Sequence, residues 1–308
     1  MNSSVPKHTF IGGFRSGTTL LINLLGLHPE VAPWFETKFV CEALRWQRLQ
    51  EYPEQAESER QLMQPAHLRG YSLQDVVARM KADMQATAAR LEGRLESGKA
   101  SHERYPIGHD CVRYSLPEAE AALARWRAGI EAAPSSVSNA TGALITSLGR
   151  RHAESWARPL WINKTPESPR FGAELRSALG DCRIILLIRD GRQVVRSSKK
   201  LHWGDVEQMA LWWKGLIQQS RIANPEPDRY LEVRYEDLLT EPAYTLDRIL
   251  AFLRLPAAGA SIAAEYRHRL GKNAFKQPLW RRWQTLYGSE RRAFDRIAGD
   301  LSEELGYH

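Results

Sequence analysis

His8-Thr9-Phe10-Ile11-Gly12-Gly13-Phe14-Arg15-Ser16-Gly17-Thr18-Thr19, followed by the apolar run Leu20 to Leu27 and closed by His28-Pro29, decides how the rest of the chain is read. A short strand, a glycine-rich turn and a helix follow one another. Gly12 to Thr19 matches the phosphate-loop pattern G-x-x-x-x-G-K-[ST] at every fixed position but one, because Thr18 stands where the lysine belongs. The backbone logic survives that change: successive N–H groups and a helix N-terminus still form a cradle for an anion. What is lost is the cation that reaches the β- and γ-phosphates of a nucleoside triphosphate. Arg15, inside the loop, supplies positive charge at a different place. A glycine turn before a helix is usually no more than a turn. Two glycines, an internal arginine and two hydroxyls directly after a strand favour a ligand here.

Downstream, the stretch from Glu42 to Ala157 reads as helical with breaks. Ser72-Leu73-Gln74-Asp75 resembles a capping box with Asp in place of Glu, and Val76, Val77, Met80 and Met84 follow at helical spacing. Pro117 opens a helix through Ala132, and Ser135 to Trp156 forms another. The pattern then changes. Leu160-Trp161-Ile162 is a short strand ending at Asn163-Lys164-Thr165-Pro166. A helix from Pro169 to Leu179 leads to Arg183-Ile184-Ile185-Leu186-Leu187-Ile188, a run suited to a strand buried on both faces. Arg189-Asp190-Gly191 ends it and a helix follows. A long helix covers Asp205 to Ile222, Tyr230 to Tyr235 is a fourth strand, Pro242 to Leu253 a helix, and Glu290 to Leu305 the last helix.

Strands separated by helices imply a parallel sheet with helices on both faces, and ligands in such sheets bind beyond the carboxyl ends of the strands. Gly12–Thr19, Asn163–Pro166, Arg189–Ser197 and Tyr235 all fall at those ends, which predicts one shared site. The expected fold is therefore α/β, a P-loop-containing three-layer arrangement with a central parallel sheet and a helical insertion. One domain is expected over residues 1–308, with its core in 1–44 and 158–308 and the insertion, a lid or acceptor wall, in 45–157.

Composition narrows the function classes. Of 308 residues, 43% are hydrophobic and 26% charged, which excludes a disordered, collagenous or coiled-coil chain. Lys and Arg number 43 against 36 Asp and Glu, a net charge of +7. That modest excess suits an anionic ligand better than a dedicated nucleic-acid binder. Cys41, Cys111 and Cys182 are too scattered for a disulfide framework or a C-x-x-C site; free thiols are expected, with a Cys41–Cys111 bridge as the alternative. His8, His28 and His67 are far apart and no metal-ligand motif stands out. MNSSVPKHTF has no apolar signal region and the longest apolar run, Ile184 to Ile188, is far short of a membrane span. A soluble, cytoplasmic protein without a membrane or nucleic-acid partner is expected, and a homodimer is left open.

Arg-Ser-Gly-Thr-Thr after a strand resembles the 5′-phosphosulfate loop of the sulfotransferases that use 3′-phosphoadenosine 5′-phosphosulfate (PAPS). Leu187-Ile188-Arg189-Asp190-Gly191-Arg192-Gln193-Val194-Val195-Arg196-Ser197 is similar to their 3′-phosphate motif, an arginine after a strand with a serine eight residues on. Within the family the motifs look most like the tyrosylprotein sulfotransferase type. His28-Pro29-Glu30-Val31 and Phe35-Glu36-Thr37-Lys38 match its His-Pro, short strand, Glu-Thr-Arg succession; Asn163-Lys164-Thr165-Pro166 matches its Asn-Lys-x-Pro element; Tyr235 matches a strand-end tyrosine near the donor. The resemblance implies in-line transfer of a sulfuryl group from PAPS to a hydroxyl, releasing 3′-phosphoadenosine 5′-phosphate (PAP) without a metal. It places Glu36 as base, with Arg15 and Lys164 offsetting charge and Lys38 as basic companion. Donor contacts fall on Gly13, Phe14, Arg15, Ser16, Gly17, Thr18, Thr19, Arg189, Ser197, Tyr235 and Lys276, the last in a loop, Lys272 to Pro278, that would close over the donor. The acceptor stays open among peptide tyrosine, carbohydrate and small-molecule alcohol or phenol. Three positions depart from the family: Phe14 replaces proline, Lys38 replaces arginine, and Leu20 stands where some relatives stack adenine on tryptophan.

Two rival readings accompany this one. A P-loop kinase or NTPase would use Asp190 as its magnesium acid; Thr18, and Arg189 just before that aspartate, argue against it. A non-catalytic nucleotide-binding protein would bind PAP without transfer. Read residue by residue, Glu36 alone is an ordinary loop carboxylate, Lys164 a turn lysine, Arg189-Asp190 a local ion pair and Trp212-Trp213 helix packing. Trp280-Arg281-Arg282-Trp283 is a weak candidate for nucleic-acid stacking.

Overall fold

The computed structural model describes residues 8–52, 71–97, 112–199, 201–271, 274–275 and 286–307. Five strands form one parallel sheet in the order β2-β3-β1-β4-β5: β1 (His8–Gly12), β2 (Val31–Phe35), β3 (Leu160–Lys164), β4 (Arg183–Ile188) and β5 (Tyr230–Arg234). Ile11 sits opposite both Lys164 and Ile185, and Gly12 opposite Leu186. The ends of β3, β1 and β4 therefore emerge side by side.

β2 is the strand that residue patterning passes over. It is short, carries Pro33 and is buried throughout, so no alternation marks it. Proline lacks the N–H a central strand would need, and β2 lies at the end of the sheet order with β3 as its neighbour. The short strand that the family resemblance implies at this position is present.

β4 is buried at every residue because both faces of the sheet are covered. Its alternate residues point to opposite sides. Ile184, with Phe10, Trp34 and Trp161, packs under α2 (Lys38–Glu51), α3 (Leu73–Ser97), α4 (Leu116–Ala132) and α5 (Val137–Ser155). On the same face Leu186 and Ile188 meet α7 (Gly191–Lys199), α8 (Val206–Ala223) and the last helix, α12 (Ser289–Glu304). Ile185 and Leu187 face the other way, onto α1 (Thr18–Leu25), α10 (Pro242–Phe252) and α11 (Gly259–Leu270). Two short α-helices, α6 (Gly172–Leu179) before β4 and α9 (Tyr235–Thr240) after β5, and a 3-10 turn over Ser168–Phe171 complete the described elements.

The helical insertion is thus a layer of the core. Trp126 of α4 shares a core cluster with Trp34 of β2 and Trp161 of β3, all at most 2% exposed, and burying large apolar side chains contributes roughly 1.5–3 kcal/mol each. Arg48 of α2 pairs with Glu174 of α6 at 2.6 Å, both buried, and so ties the insertion to the segment leading into β4. His152 of α5 stacks on Trp34 and accepts from the Arg113 N–H at Nδ1, while Nε2 lies 3.0 Å from Pro33 O. Burial drives its pKa down to about 3, so it is a neutral packing group. Local capping follows the chemistry expected of it: Asp75 N–H donates to Ser72 Oγ and Ser72 N–H to Asp75 Oδ2. Cys41 and Cys182 are buried thiols, and burial pushes Cys182 up to about 12. Cys111 and the Trp280–Trp283 cluster lie outside the described residues.

Candidate active site

The phosphate loop is shaped by its glycines. Gly13 has φ +137° and donates its N–H to Pro166 O at 3.0 Å; a Cβ there would collide with Leu187 O. Gly17 has φ +88°, caps α1, and has no room for a side chain because the Tyr235 ring lies against it. Arg15 also takes a left-handed backbone, φ +52°, which is unfavourable for a residue with a Cβ. The first turn of α1 has no acidic residue and no side-chain cap. Its amides and dipole therefore point at the space above the loop as an anion site. Ser16 Oγ donates to Phe14 O, and Thr18 is almost buried.

Arg15 and the second motif meet. Arg15 Nε donates to Ser197 Oγ at 3.0 Å across 182 residues of sequence, and Arg189 Nη1 donates to Arg15 O at 3.3 Å. The Arg189 guanidinium is held from two further sides. Gln193 Oε1 accepts from Nε and Nη2, and the Tyr235 ring lies 4.7 Å from Cζ. Trp213 Nε1 donates to Arg189 O. Asp190 does not pair with Arg189: its carboxylate takes the Arg192 N–H and two guanidinium contacts, at 2.9–3.1 Å. The acid of a P-loop NTPase reading is therefore already engaged by a cation.

On the other side of β1 stands the carboxylate. Glu36 follows β2 with φ +23°, and its side chain is 42% exposed. Lys164, 1% exposed at the end of β3, donates from Nζ to Glu36 Oε1 and lies over the Phe35 ring. The backbone N–H groups around Glu36 are satisfied one after another. Glu36 donates to Lys164 O at 2.8 Å, Thr37 to Thr165 Oγ1 at 3.2 Å, and Phe39 to Asp83 Oδ2 at 3.0 Å. The Thr37 hydroxyl does not cap α2, because it accepts from Asn163 Nδ2; Asp83, reaching over from α3, takes its place. Burial raises the Asp83 pKa against the pull of those amides.

All the sequence-predicted residues among those described, Gly13 to Thr19, Glu36, Lys164, Arg189, Ser197 and Tyr235, lie at the carboxyl ends of β1 to β5. Lys38 is exposed at the start of α2. Lys276 lies outside the described residues. Sequence reading passes over Gln193, Asp83 and Trp203. Gln193 carries a signal, its i+4 spacing from Arg189. Asp83 and Trp203 carry none: Asp83 is one of many helix carboxylates, and Trp203 meets Arg15 and Phe14 only through the fold, at 5.4 and 5.5 Å. Trp213 packs in the core as expected, against Phe294, while Trp212 meets the loop edge-on at Phe14.

Chemically, the loop side offers two arginines, hydroxyls and helix amides to an anion, and the far side offers a carboxylate held by a buried lysine. Among the described residues, no group of three or more His, Cys, Asp or Glu could hold a metal ion, and no helix is long and apolar enough to cross a membrane.

A parallel sheet flanked by helices, with a glycine loop after its first strand, defines a P-loop-like α/β fold. The family model described as "Sulfotransferase family" matches residues 9–259, and the chain belongs to that family. A Caenorhabditis elegans protein named "Putative protein-tyrosine sulfotransferase" is 29% identical over 126 residues, 38% of this chain and 48% of that protein. A Caenorhabditis briggsae protein of the same name is 28% identical over 125 residues, 38% of this chain and 44% of its own length. The matches thus span about half the length of these relatives. Among solved structures, the sulfotransferase domain of the Synechococcus PCC 7002 olefin synthase superposes with a TM-score of 0.51 at 19% identity, covering 98% of this chain and 97% of that one. That likeness is one of fold.

Proposed function

We propose that the protein transfers the sulfuryl group of PAPS to a hydroxyl acceptor and releases PAP. The observation that carries this reading is the contact of Arg15 with Ser197 and of Arg189 with the Arg15 carbonyl, which joins two distant sequence motifs into one cationic cradle. Family membership supports sulfuryl transfer as the class of reaction, and the cradle supports a donor with anionic groups at two separated positions. PAPS fits that demand, with its 5′-phosphosulfate on the loop and its 3′-phosphate on Arg189 and Ser197, and it supplies a sulfuryl group on an activated anhydride.

This chain's residues do the rest. The α1 amides and Arg15 bind and orient the 5′ end, and guanidinium groups bind phosphate with fork geometry. Lys164 is placed to offset charge that builds on the transferring group and the leaving phosphate. Glu36, half-exposed and held at a set orientation, takes the acceptor proton, which passes from the hydroxyl oxygen to its carboxylate. Positioning and charge compensation carry most of the work in such loose, in-line transfers. The acceptor class first in line is a tyrosine hydroxyl, after the named relatives; sugars and small-molecule alcohols or phenols follow.

Isothermal titration with PAP, then a labelled-PAPS screen over tyrosine peptides, glycans and phenols, tests the reading. Saturable PAP binding and label transfer to one acceptor class support it. PAP binding without transfer to any acceptor points to the non-catalytic alternative, and magnesium-dependent ATP turnover to a kinase.

A further inference from the structure

We propose that Glu236, held in place by Tyr307, is a positioning residue that sets Arg189 for recognition of the donor's 3′-phosphate; the inference rests on the donor reading above. The peptide unit joining Arg189 to Asp190 is held at both of its polar atoms. Trp213 Nε1 donates to Arg189 O at 3.1 Å, and the Asp190 N–H donates to Glu236 Oε1 at 3.3 Å. The orientation of that peptide plane fixes where the Arg189 side chain leaves the strand end. The Asp190 carboxylate is engaged by Arg192, so the turn depends on Glu236 for its backbone contact to β5 and α9.

Glu236 is itself fixed. The Tyr307 hydroxyl donates to Glu236 Oε2 at 2.9 Å. Tyr307 is 7% exposed, and its ring lies 4.4 Å from the Arg234 guanidinium carbon. Its backbone is closed onto the end of α12: its N–H donates to Ser302 O and Ser302 Oγ donates to its carbonyl. Arg234 Nη1 donates to Leu305 O at 2.7 Å, which ties the same segment to the end of β5. Tyr235, adjacent to Glu236, places its ring against the Arg189 guanidinium. One dipeptide therefore holds Arg189 by side chain and by backbone.

The charge of Glu236 sharpens the point. A carboxylate beside a phosphate site opposes the anion electrostatically. Its presence there has a geometric reason, as the acceptor for the Asp190 amide. Removing the acceptor and removing the charge should then act in opposite directions.

The test is isothermal titration of PAP and of adenosine 5′-phosphate, which lacks the 3′-phosphate, into the unmodified protein and into Glu236→Ala, Glu236→Gln and Tyr307→Phe, with apo melting temperatures measured in parallel. Glu236→Ala is expected to lower the PAP-to-adenosine-phosphate affinity ratio by roughly 5- to 10-fold, the scale of one lost hydrogen bond, with adenosine 5′-phosphate affinity unchanged. Tyr307→Phe should lower the ratio by a smaller factor, and it keeps the carboxylate should the alanine variant not fold. Glu236→Gln, which retains an acceptor without the charge, should keep the ratio or raise it. An unchanged ratio in both Tyr307→Phe and Glu236→Ala, or equal loss for both ligands, overturns the assignment while leaving the donor reading intact. Failure of the unmodified protein to bind PAP overturns the donor reading and this inference together.

Discussion

The two sides of the candidate site are built on different terms. On the proposed donor side, Arg15 is exposed, takes a left-handed backbone and meets the Ser197 hydroxyl and the face of Trp203. On the base side, Lys164, Asn163 and Thr165 are all buried, and the amides of Glu36, Thr37 and Phe39 each have an acceptor. The difference agrees with the role proposed for each side. A cradle for a multiply charged anion needs cations that solvent can reach, so that the ligand completes their coordination. A base in the proposed role must stay within hydrogen-bond reach of one proton, and buried bonds fix the backbone that carries Glu36.

Mutations on each side should therefore fail differently. Glu36→Gln is expected to cut transfer by roughly 10²–10⁴-fold with PAP affinity retained, read from initial rates and titration with the acceptor that the screen identifies. Near-normal turnover would move the base elsewhere. Arg189→Ala removes a charge-assisted contact and should weaken PAP by about 10- to 100-fold, with a smaller loss for adenosine 5′-phosphate. Equal losses would misplace the 3′-phosphate site. Asn163→Ala leaves the Thr37 and Thr165 hydroxyls short of a buried partner. It should cost about 1–3 kcal/mol in urea unfolding and leave PAP affinity alone; a matching loss of PAP binding would show that the two sides are not separable. Asp83→Ala removes the cap of α2, worth about 1 kcal/mol, and Asp83→Asn should cost less, because the amides need an acceptor more than a charge. Equal destabilisation by both variants would make the charge the contribution.

Much of the backbone geometry on the proposed donor side was legible in the residues. The glycine spacing of Gly13 and Gly17 encodes left-handed backbone that other residues resist, and Arg189 with Ser197 sits at a fixed offset on a strand-to-helix turn. The continuous apolar run of β4 announces a doubly covered strand. The role proposed for Glu36 rests on the family resemblance alone, since in isolation it is one carboxylate among many. β2 escaped residue patterning because Pro33 and full burial erase alternation. Helix α11 and the short α9 were passed over as well. The commoner reading of Arg189-Asp190 as an ion pair gave way because Arg192, two residues on, reaches Asp190 better, while Gln193 and Tyr235 take Arg189.

Local chemistry in the chain was enough to settle the α/β class, the glycine turn after β1 and the cap at Ser72, since each is read from patterns within a turn or two along the chain. The tertiary structure alone decided that the insertion is a core layer, that Asp83 caps the helix after Glu36, and that Tyr307 reaches Glu236 beneath the Arg189 turn. Those contacts join residues tens of positions apart, and their partners are chosen by how the layers pack on the sheet.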